Sequence, residues 1–490
     1  MSEQNLGNEY EIRKQKVTKI KEMGNLPYME RYETNKKISE VAALEDGTEN
    51  ISVAGRIVSL RNMGKLIFAH LFDWEGKIQF ALQKKQLHEK FDEFVQLVDT
   101  GDFLGISGTV ITTKTGEKTI DVKDWLLLSK TLRPLPEKYH GLVDRELVYR
   151  RRYLDLITNK ESCDRFKSRL KIINLLRDFL NSHDFLEIDT PVLINKASGA
   201  LATPFKTHHN ALDIDIYMRI APETYLKRAI AGGFNRVFEF ARCFRNEGLD
   251  PSHLPDFTLL EYYTAYWNYE DNMRFTKQLV NHVLMGLSNS LEITYNDQKI
   301  DFSGEWPVLT FAELIVRDCG IDITKCADKA ALVAIIKEKK IELERDIDDS
   351  SVSYGTLLDL LYKKVSRPKI IQPAFLIGHP LDISPLARTN DQNNMITDRY
   401  QLIVNSWEIV NAYSELVDPI EQRKRFEKQM EARKKGDLET MDVDEDFIQC
   451  MEYGMPPMSG WGMGIDRFVA LLTNAQNLRD VVLFPLMRSE

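Results

Sequence analysis

Three short blocks, which lie far apart along the chain, restrict its possible folds more than any other feature of the sequence. Their charged side chains are flanked by strongly apolar residues. The first block comprises residues 244–248 (FRNEG), His253 and residues 257–263; the second comprises residues 408–415, and the third comprises residues 462–467 (GMGIDR). Two arginines and a glutamate suit a triphosphate with its metal ion, and the surplus carboxylates suit a cationic ligand. The sequence therefore predicts a fold that brings the three blocks into one pocket.

The first block predicts two antiparallel strands joined by a polar loop at residues 246–256. Side chains alternate along a strand, so Phe257, Glu261 and Tyr263 share one face of the returning strand. A hairpin of this kind places Arg245 near these three side chains. The planar fork of an arginine grips a carboxylate or a phosphate through two hydrogen bonds, and a phenylalanine ring stacks on a purine.

The third block predicts a strand end that enters an apolar helix. Gly462 and Gly464 allow the backbone to approach a ligand closely, and Arg467 in the first helical turn can reach a phosphate beside the helix N-terminus. The block lacks the third glycine of the dinucleotide-binding fingerprint. We therefore expect a phosphate contact from Arg467, and the alternative is a surface arginine that opens a buried helix.

The second block places Asn411, Tyr413 and Glu415 two residues apart, so on a strand their side chains point the same way. Glu261 and Glu223, which opens an apparent helix, add two further carboxylates. Burying unpaired carboxylates is costly, so this surplus predicts a cationic ligand. The alternative is a structural ion pair.

An earlier part of the chain has a different pattern, with short β-rich segments separated by turns. Five strands are predicted, at residues 53–58, 67–72, 77–82, 103–108 and 119–122. Five short strands fit a closed barrel of the OB type, which binds single-stranded nucleic acid. Any small β-domain gives a similar pattern, so the type of β-domain stays open at this point.

The three blocks, at these offsets, resemble the motifs of class II aminoacyl-tRNA synthetases of subclass b, and within them those of the lysyl-tRNA synthetases. The resemblance covers nearly the whole chain, including residues 133–136, 149–156 and 478–485. It implies an α+β fold, with an N-terminal OB-type β-barrel and a class II catalytic domain built on an antiparallel sheet flanked by helices. The expected parts are a basic helical segment at 1–50, an anticodon-binding barrel at 51–130, a linker at 131–145, and a catalytic domain at 146–490 with a helical insertion around 305–370.

The resemblance implies a role for each residue of the nucleotide site. Arg245 would bind the α-phosphate of ATP and the lysine carboxylate, and Arg467 would lie over the ATP; these two are the implied catalytic residues. Glu247 would contact the adenine amino group, His253 the β- and γ-phosphates, and Phe257 the face of the adenine. The alternative for His253 is an exposed loop histidine.

The resemblance also implies a pocket for the amino acid lysine. Glu415 with Tyr263 would take the ε-ammonium group, and Glu223 with the Gly199 backbone would take the α-ammonium group. The other implied lysine-binding residues are Glu261, Asn411 and Tyr413. The aspartyl and asparaginyl enzymes of the same class need a cationic or neutral pocket, and Glu415 argues against both.

In the barrel, three residues match positions that similar enzymes use on the central anticodon base. Phe68 would stack on this base, while Arg61 and Gln79 would hydrogen-bond its edge. The alternative for Phe68 is a core aromatic residue. Its place in the barrel decides between the two.

The chain departs from the family pattern at three places. The family usually has a magnesium-binding glutamate seven residues before Glu408, where this chain has Gln401. A neutral amide oxygen binds Mg²⁺ more weakly than a carboxylate, so Glu408 is left as the implied metal ligand. Thr203 replaces a common arginine, and Val410 and Ala412 stand where many bacterial members have glycine.

The charge of the chain is unevenly distributed, which bears on whether it can bind nucleic acid. The net charge of −9 argues against nucleic acid, but Arg13, Lys14, Lys16, Lys19 and Lys21 form a local basic segment. Phosphate contacts are local because charges are screened beyond about 10 Å. The alternative for this segment is a solvated helix face.

The chain carries no sign of a membrane or secretory protein. No stretch approaches the roughly 18 uninterrupted apolar residues of a membrane helix, and residues 1–10 lack an apolar signal core. The five cysteines are scattered without a close pair, as in a reducing compartment. We therefore expect a cytoplasmic protein without a membrane partner.

The segment from residue 166 to Pro191 predicts a helix followed by a short strand. This order resembles the first motif of the family, which forms its dimer interface, so we expect a homodimer. The alternative is a plain helix-to-strand connection.

Together these features imply a lysine–tRNA ligase that uses ATP, Mg²⁺, L-lysine and tRNA(Lys). One alternative is a paralogue that lysylates a protein; such paralogues lack the N-terminal barrel, which counts against them here. The other is a catalytically impaired tRNA-binding paralogue, and Gln401 is its main support.

Overall fold

The computed structural model describes residues 3–136, 144–196, 199–200, 202–248, 250–347, 352–434 and 443–489. The chain divides into two compact units, Met1–Cys163 and Asp164–Glu490. None of the helices in the described residues combines the length and the apolar character that crossing a membrane requires.

The first unit is built around a barrel. Its elements are α1 (Glu3–Glu22), α2 (Ile38–Val41), β1 (Ile51–Asn62), β2 (Leu66–Phe72), β3 (Lys77–Gln83), α3 (Lys84–Leu87), α4 (Glu89–Leu97), β4 (Phe103–Thr112), β5 (Lys118–Ser129), α5 (Arg145–Arg150) and α6 (Arg152–Thr158). Helix α7 (Lys160–Asn181) leads into the second unit. Within the described residues, the strands close in the order β1-β2-β3-β5-β4.

Alternating side chains explain why these strands form a barrel. Ile57, Leu71 and Ile67 are fully buried in its interior, while their neighbours along each strand are half-buried or exposed. Strands β3 and β5 pair in parallel and the other neighbours pair antiparallel. The five predicted strands and the N-terminal barrel are therefore confirmed.

The basic helix α1 is not a solvated face throughout. Arg13 is buried and donates to the carbonyl oxygen of Thr100 at 3.0 Å. Lys16 donates to Asp99 at 2.7 Å, and Lys19 donates to Gln96 at 2.8 Å. These three basic side chains therefore hold the helix to the end of α4 within the first unit.

The second unit is built around a large sheet. Its strands are β6 (Leu186–Glu187), β7 (Leu193–Ile194), β8 (Lys206–His209), β9 (Ile214–Met218), β10 (Arg236–Phe244), β11 (Asp256–Ala265), β12 (Glu292–Tyr295), β13 (Gln298–Asp301), β14 (Val308–Thr310), β15 (Ala374–Ile377), β16 (Arg399–Val404), β17 (Trp407–Ser414) and β18 (Met458–Gly464). Its helices are α8 (Glu223–Ala231), α9 (Tyr269–Ser288), α10 (Phe311–Cys319), α11 (Lys329–Glu338), α12 (Tyr354–Val365), α13 (Pro419–Lys434), α14 (Glu445–Glu452) and α15 (Ile465–Leu472).

In the described residues the sheet has eight strands in the order β14-β15-β16-β17-β18-β11-β10-β6. The two outermost pairs, β14-β15 and β10-β6, are parallel, and the inner pairs are antiparallel. Buried residues of the sheet and of helices α7, α9 and α15 form one hydrophobic core. Within it, the rings of Tyr262 and Trp461 stack with their centroids 4.6 Å apart. The expected α+β fold, with a largely antiparallel sheet flanked by helices, is confirmed.

Helices α10, α11 and α12 share a hydrophobic core of their own, with Phe311, Leu332 and Leu361 at its centre. They fall in the region where we expected a helical insertion, around residues 305–370. The limits proposed for the insertion and for the other parts of the chain stay predictions.

Candidate active site

A cavity of about 380 Å³ lies in the second unit against strands β11, β17 and β18. Side chains or backbone from all three blocks line it, so the fold brings the blocks into one pocket. The predicted site residues among them are Gly199, Glu223, Arg245, Glu247, His253, Phe257, Glu261, Tyr263, Glu408, Asn411, Tyr413 and Arg467. Glu415 and Gln401 do not line the cavity; they are buried next to residues that do.

Arg245 is positioned by the β10–β11 hairpin. Its backbone N–H donates to the carbonyl of Pro255 at 2.8 Å, and its guanidinium carbon lies 4.9 Å from the centroid of the Phe257 ring. Its Nε is buried and has no hydrogen-bond partner among the described residues. An unpaired buried donor is costly, so this arrangement suits an anion in the cavity.

Arg467 lies in the first turn of helix α15 and contacts a loop histidine. Its Nη2 donates to Nε2 of His253 at 3.0 Å, so the proton of the neutral imidazole lies on Nδ1, which is 2.8 Å from Oδ2 of Asp250. Burial lowers the pKa of the Arg467 guanidinium, and the nearby Glu408 opposes this shift. A partly buried cation interacts more strongly with an anion in the cavity than a fully exposed one does.

Asp466 fixes the start of the helix that carries this arginine. Its Oδ1 accepts from Arg169 at 2.6 Å, and its Oδ2 accepts from the backbone N–H of Thr258 at 3.0 Å. The aspartate is buried, so both hydrogen bonds are shielded from water. They tie α15 to α7 and β11, and the position of Arg467 follows from them.

Glu408 reaches the cavity because the strand pairing is irregular. Between β16 and β17 the register shifts after Leu402, so that Ile403 faces Glu408. A bulge changes which side chains share a face, and Glu408 therefore lines the same cavity as Asn411. Gln401 donates from Nε2 to Oε2 of Glu408 at 2.7 Å, in place of the second carboxylate that the family pattern has.

Three buried carboxylates lie at the other end of the cavity: Glu223, Glu261 and Glu415 are each less than a tenth exposed. Burial raises the pKa of Glu261 well above its ordinary value, and Glu223 adds to the shift. The hydroxyl of Tyr263 donates to Glu261 at 3.3 Å, and that of Tyr413 donates to Glu223 at 2.8 Å. The cavity therefore has a cationic end, with Arg245 and Arg467, and a carboxylate end.

Sequence reasoning missed Lys227, which neutralises part of this carboxylate end. Its Nζ lies 2.5 Å from Oε1 of Glu223 and 2.5 Å from Oε2 of Glu415. The structural ion pair that we weighed as an alternative is thus present for two of the three carboxylates. The available signal was the position of Lys227 four residues after Glu223, which puts both on one face of a helix.

Sequence reasoning also missed Arg399, at the start of β16. Its Nε donates to Oδ1 of Asn411 at 2.8 Å, and its Nη1 donates to the carbonyl of Ile383 at 2.8 Å. It lines the cavity and orients the amide of Asn411. No spacing in the sequence marks it, because Asn411 is brought to it by the pairing of β16 and β17, and Ile383 lies in a separate turn at residues 381–383.

In the first unit, the three predicted anticodon-binding residues occupy neighbouring strands of the barrel. Arg61 pairs with Phe68 across β1 and β2, and Phe68 is half-buried on the outer face and not in the core. Gln79 donates to Glu117 at 2.7 Å and accepts from the hydroxyl of Thr119 at 2.7 Å. The core alternative for Phe68 is therefore wrong, and its role in base stacking stays a prediction.

The antiparallel sheet, the hairpin with its arginine, and the glycine-containing strand that leads into a second arginine define the catalytic domain of a class II tRNA synthetase. Residues 144–488 match the family described as tRNA synthetases class II (D, K and N). Residues 51–128 match the OB-fold nucleic acid binding domain.

Curated relatives identify the branch of this family to which the chain is similar in sequence. A lysine–tRNA ligase of Staphylococcus haemolyticus is 41% identical over 502 residues, covering 100% of both chains. Those of Enterococcus faecalis (42% over 494 residues, 99% of this chain and 98% of the relative) and Magnetococcus marinus (43% over 501 residues, 100% and 99%) are similar to the same degree. The chain belongs to the class II aminoacyl-tRNA synthetases and, within them, to the lysine–tRNA ligase family.

Proposed function

We propose that this chain activates L-lysine with ATP and transfers it to the 3′ end of tRNA(Lys). The observation that carries the proposal is a single cavity with Arg245 and Arg467 at one end and three buried glutamates at the other. A nucleotide triphosphate suits the first end, and an amino acid with two ammonium groups suits the second.

The proposed chemistry has two steps. The lysine carboxylate attacks the α-phosphorus of ATP, the new O–P bond replaces the bond to pyrophosphate, and lysyl-adenylate forms. A ribose hydroxyl of the terminal tRNA adenosine then attacks the lysyl carbonyl carbon, and AMP leaves. Arg245 and Arg467 would hold the reacting groups and stabilise the charge that develops on the phosphate, so no protein nucleophile is required.

The remaining site residues would select the two substrates. Glu247, His253 and Phe257 would contact the phosphates and the adenine, as their positions in the cavity allow. Glu223 with the Gly199 backbone would take the α-ammonium group of lysine, and Tyr263 with Glu415 its ε-ammonium group. The amino acid would be oriented by Glu261, Asn411 and Tyr413.

The donor set fits a magnesium ion that stays mostly bound to phosphate and water. Mg²⁺ is commonly held by one or two carboxylates together with substrate phosphates, and Glu408 lines the cavity with Gln401 beside it. The described residues contain no cluster of three or more His, Cys, Asp or Glu side chains that could hold a metal. Glu408 would therefore hold the ion, which would supply positive charge next to the phosphates.

The second copy in a proposed homodimer would cover apolar side chains near the first family motif. Leu170 on α7, Leu186 on β6 and Leu193 on β7 are each more than half exposed. A second copy packed against these leucines would remove their apolar surface from water, as at other interaction surfaces. The barrel would bind the anticodon of tRNA(Lys) through Arg61, Phe68 and Gln79. We also propose that the protein lies in the cytoplasm.

The test is lysine-dependent ATP–pyrophosphate exchange without tRNA, with aspartate and asparagine as controls. Exchange with lysine alone is the expected result, because Glu223 and Glu261 line the amino-acid end and Glu415 is buried beside it. Equal exchange with aspartate would overturn the assignment of lysine.

A second candidate is a tRNA-binding protein that no longer activates lysine, and Gln401 beside Glu408 is the observation that favours it. It predicts no exchange at any magnesium concentration, together with retained binding of labelled tRNA(Lys). The protein-lysylating alternative is disfavoured by the barrel at residues 51–128.

A further inference from the structure

Lys227 is a buried cation that the reaction described above does not use. It lies on helix α8, and its side chain is 2% exposed. Its ammonium group bridges Glu223 and Glu415, at 2.5 Å from an oxygen of each. A buried ammonium is stable only when it is paired, so the lysine and both carboxylates depend on one another.

Aromatic rings enclose this bridge. Nζ of Lys227 lies 5.9 Å from the ring centroid of Tyr263, 5.7 Å from that of Tyr413 and 5.8 Å from that of Phe447. Tyr263 and Tyr413 line the cavity, and Lys227 does not. The ammonium group is therefore held directly behind the wall of the amino-acid end.

The charges of this end balance only when Lys227 is included. Glu223, Glu261 and Glu415 carry three negative charges when ionised. Lys227 carries one positive charge, and Arg245, which belongs to the other end but whose charge acts on Glu261, carries another, which leaves one negative charge. A lysine molecule with two ammonium groups and one carboxylate carries one positive charge and makes the sum zero. Without Lys227, two negative charges remain in a buried space, and such a cluster takes up a proton.

We propose that Lys227 is a positioning residue for the amino-acid substrate: its ammonium group holds Glu223 and Glu415 in place and ionised, so that the pocket binds an ammonium group instead of a proton. The inference rests on the proposed function. It assigns Lys227 a role that acts through the two glutamates and not through contact with the substrate.

The proposal predicts a change in pH dependence. Burial raises the pKa of Glu415, and the Lys227 ammonium opposes this shift, so removing Lys227 raises the pKa further. The glutamate then stays protonated until a higher pH, and lysine binding improves as the pH rises through that pKa. The other titratable or charged groups facing the bridge are Glu261, Tyr263, Arg245 and Tyr413.

The experiment compares Lys227→Met with Lys227→Arg in lysine-dependent ATP–pyrophosphate exchange between about pH 6.5 and pH 9, a window above the ordinary carboxyl pKa. In Lys227→Met we expect the KM for lysine to rise at least about tenfold at neutral pH and to fall as the pH rises, because a buried charge pair has lost one partner. The KM for ATP should change far less. Lys227→Arg keeps the charge and should recover part of the lysine affinity and the wild-type pH profile.

A double-mutant cycle with Glu415→Gln separates positioning from folding. Lys227→Met with Glu415→Gln removes the cation together with one of its two carboxylates and leaves Glu223 with its hydrogen bond from Tyr413, so it should fold more readily than Lys227→Met alone. If Lys227 acts through Glu415, Lys227→Met raises the lysine KM by a smaller factor in the Glu415→Gln background than in the wild-type protein, and the part that remains is the effect on Glu223.

Two results would overturn the proposal: a lysine KM in Lys227→Met that is unchanged or lower at every pH, or fully additive effects in the cycle. Failure of the proposed function gives a different result, which is the absence of lysine-dependent exchange in the wild-type protein.

Discussion

At the scale of single residues, Gln401 is the departure with the clearest chemical meaning. Its amide donates to Glu408 at 2.7 Å, so it holds the remaining carboxylate through a hydrogen bond and adds no negative charge. The position is buried, at 7% exposure, which makes the missing charge matter more.

We predict that Gln401→Glu lowers the magnesium concentration needed for half-maximal exchange several-fold, because a second carboxylate strengthens Mg²⁺ binding. The same variant should be less stable without metal, since a buried carboxylate at position 401 and the half-buried Glu408 would then lie side by side. Exchange across a magnesium titration and thermal unfolding with and without Mg²⁺–ATP measure the two effects. Gln401→Met, which adds no charge, is the control, and a magnesium requirement that is the same in both variants would contradict the prediction.

Gly460 and Gly462 form a matched pair of residues on β18, and both line the cavity. A Cβ atom at Gly460 would lie 2.2 Å from Oε1 of Glu415 and 2.4 Å from the Tyr263 ring. A Cβ atom at Gly462 would lie 3.5 Å from its nearest neighbour, Cγ of Glu261, which is an ordinary contact.

We therefore predict that Gly460→Ala raises the KM for lysine at least about tenfold, because the clash displaces Glu415 and Tyr263, two groups of the proposed lysine pocket. Gly462→Ala should change the lysine KM by no more than a few-fold. Steady-state pyrophosphate exchange measures the lysine KM of both variants, and thermal unfolding checks that both are folded. Equal effects of the two substitutions would show that the contact with Glu415 and Tyr263 is unimportant.

At the scale of elements, neighbouring barrel strands fix the orientation of the Gln79 amide. Its NH₂ group donates to Glu117 on one side, and its oxygen accepts from the buried Thr119 hydroxyl on the other. Glu117 is also 2.8 Å from Nε2 of His70. An amide held at both ends presents one fixed donor and acceptor pattern, which is what distinguishes one base edge from another.

We predict that Thr119→Val weakens discrimination at the central anticodon base, because the amide of Gln79 is then free to turn over. The measurement is the ratio of kcat/KM for tRNA(Lys) transcripts with the original and a changed central base, and we expect it to fall about tenfold, the effect of roughly 1.4 kcal/mol. Thr115→Val on the exposed turn is the control. An unchanged ratio in Thr119→Val would mean that Gln79 does not read this base.

The elements also show what the sequence can and cannot predict. Strand alternation correctly predicted that Arg245 would meet Phe257, because the β10–β11 hairpin is regular. Alternation alone puts Glu408 and Asn411 on opposite faces, and only the bulge between β16 and β17 brings both into the cavity. The place of Arg399 in the cavity could not be predicted, because its hydrogen-bond partners are distant from it in the sequence.

At the scale of the whole molecule, the hydrogen bonds of Asp466 connect the cationic end of the cavity to helix α7 through Arg169. The same helix carries Leu170, which is 55% exposed. The proposed dimer surface and the active-site arginine Arg467 thus lie on elements joined by buried hydrogen bonds. Disturbing the dimer should therefore also affect activity.

We predict that Leu186→Asp converts the protein to monomers, since a charge would then stand on an apolar interface. Sedimentation velocity measures the assembly, and pyrophosphate exchange on the same samples measures the activity, which we expect to fall together with the dimer. Val316→Asp changes an apolar side chain that is 45% exposed on α10 and serves as the control. A Leu186→Asp variant that stays dimeric would place the interface elsewhere.

Lys227 also makes this protein depend on its own product. The ribosome places lysine at position 227 only if tRNA(Lys) has been charged correctly, and the selection of lysine then relies on that residue being lysine. A batch of wrongly charged tRNA would yield new molecules with a damaged pocket, which would in turn choose their substrate less well. The accuracy with which existing molecules charge tRNA(Lys) thus determines, through Lys227, how accurately newly made molecules select lysine.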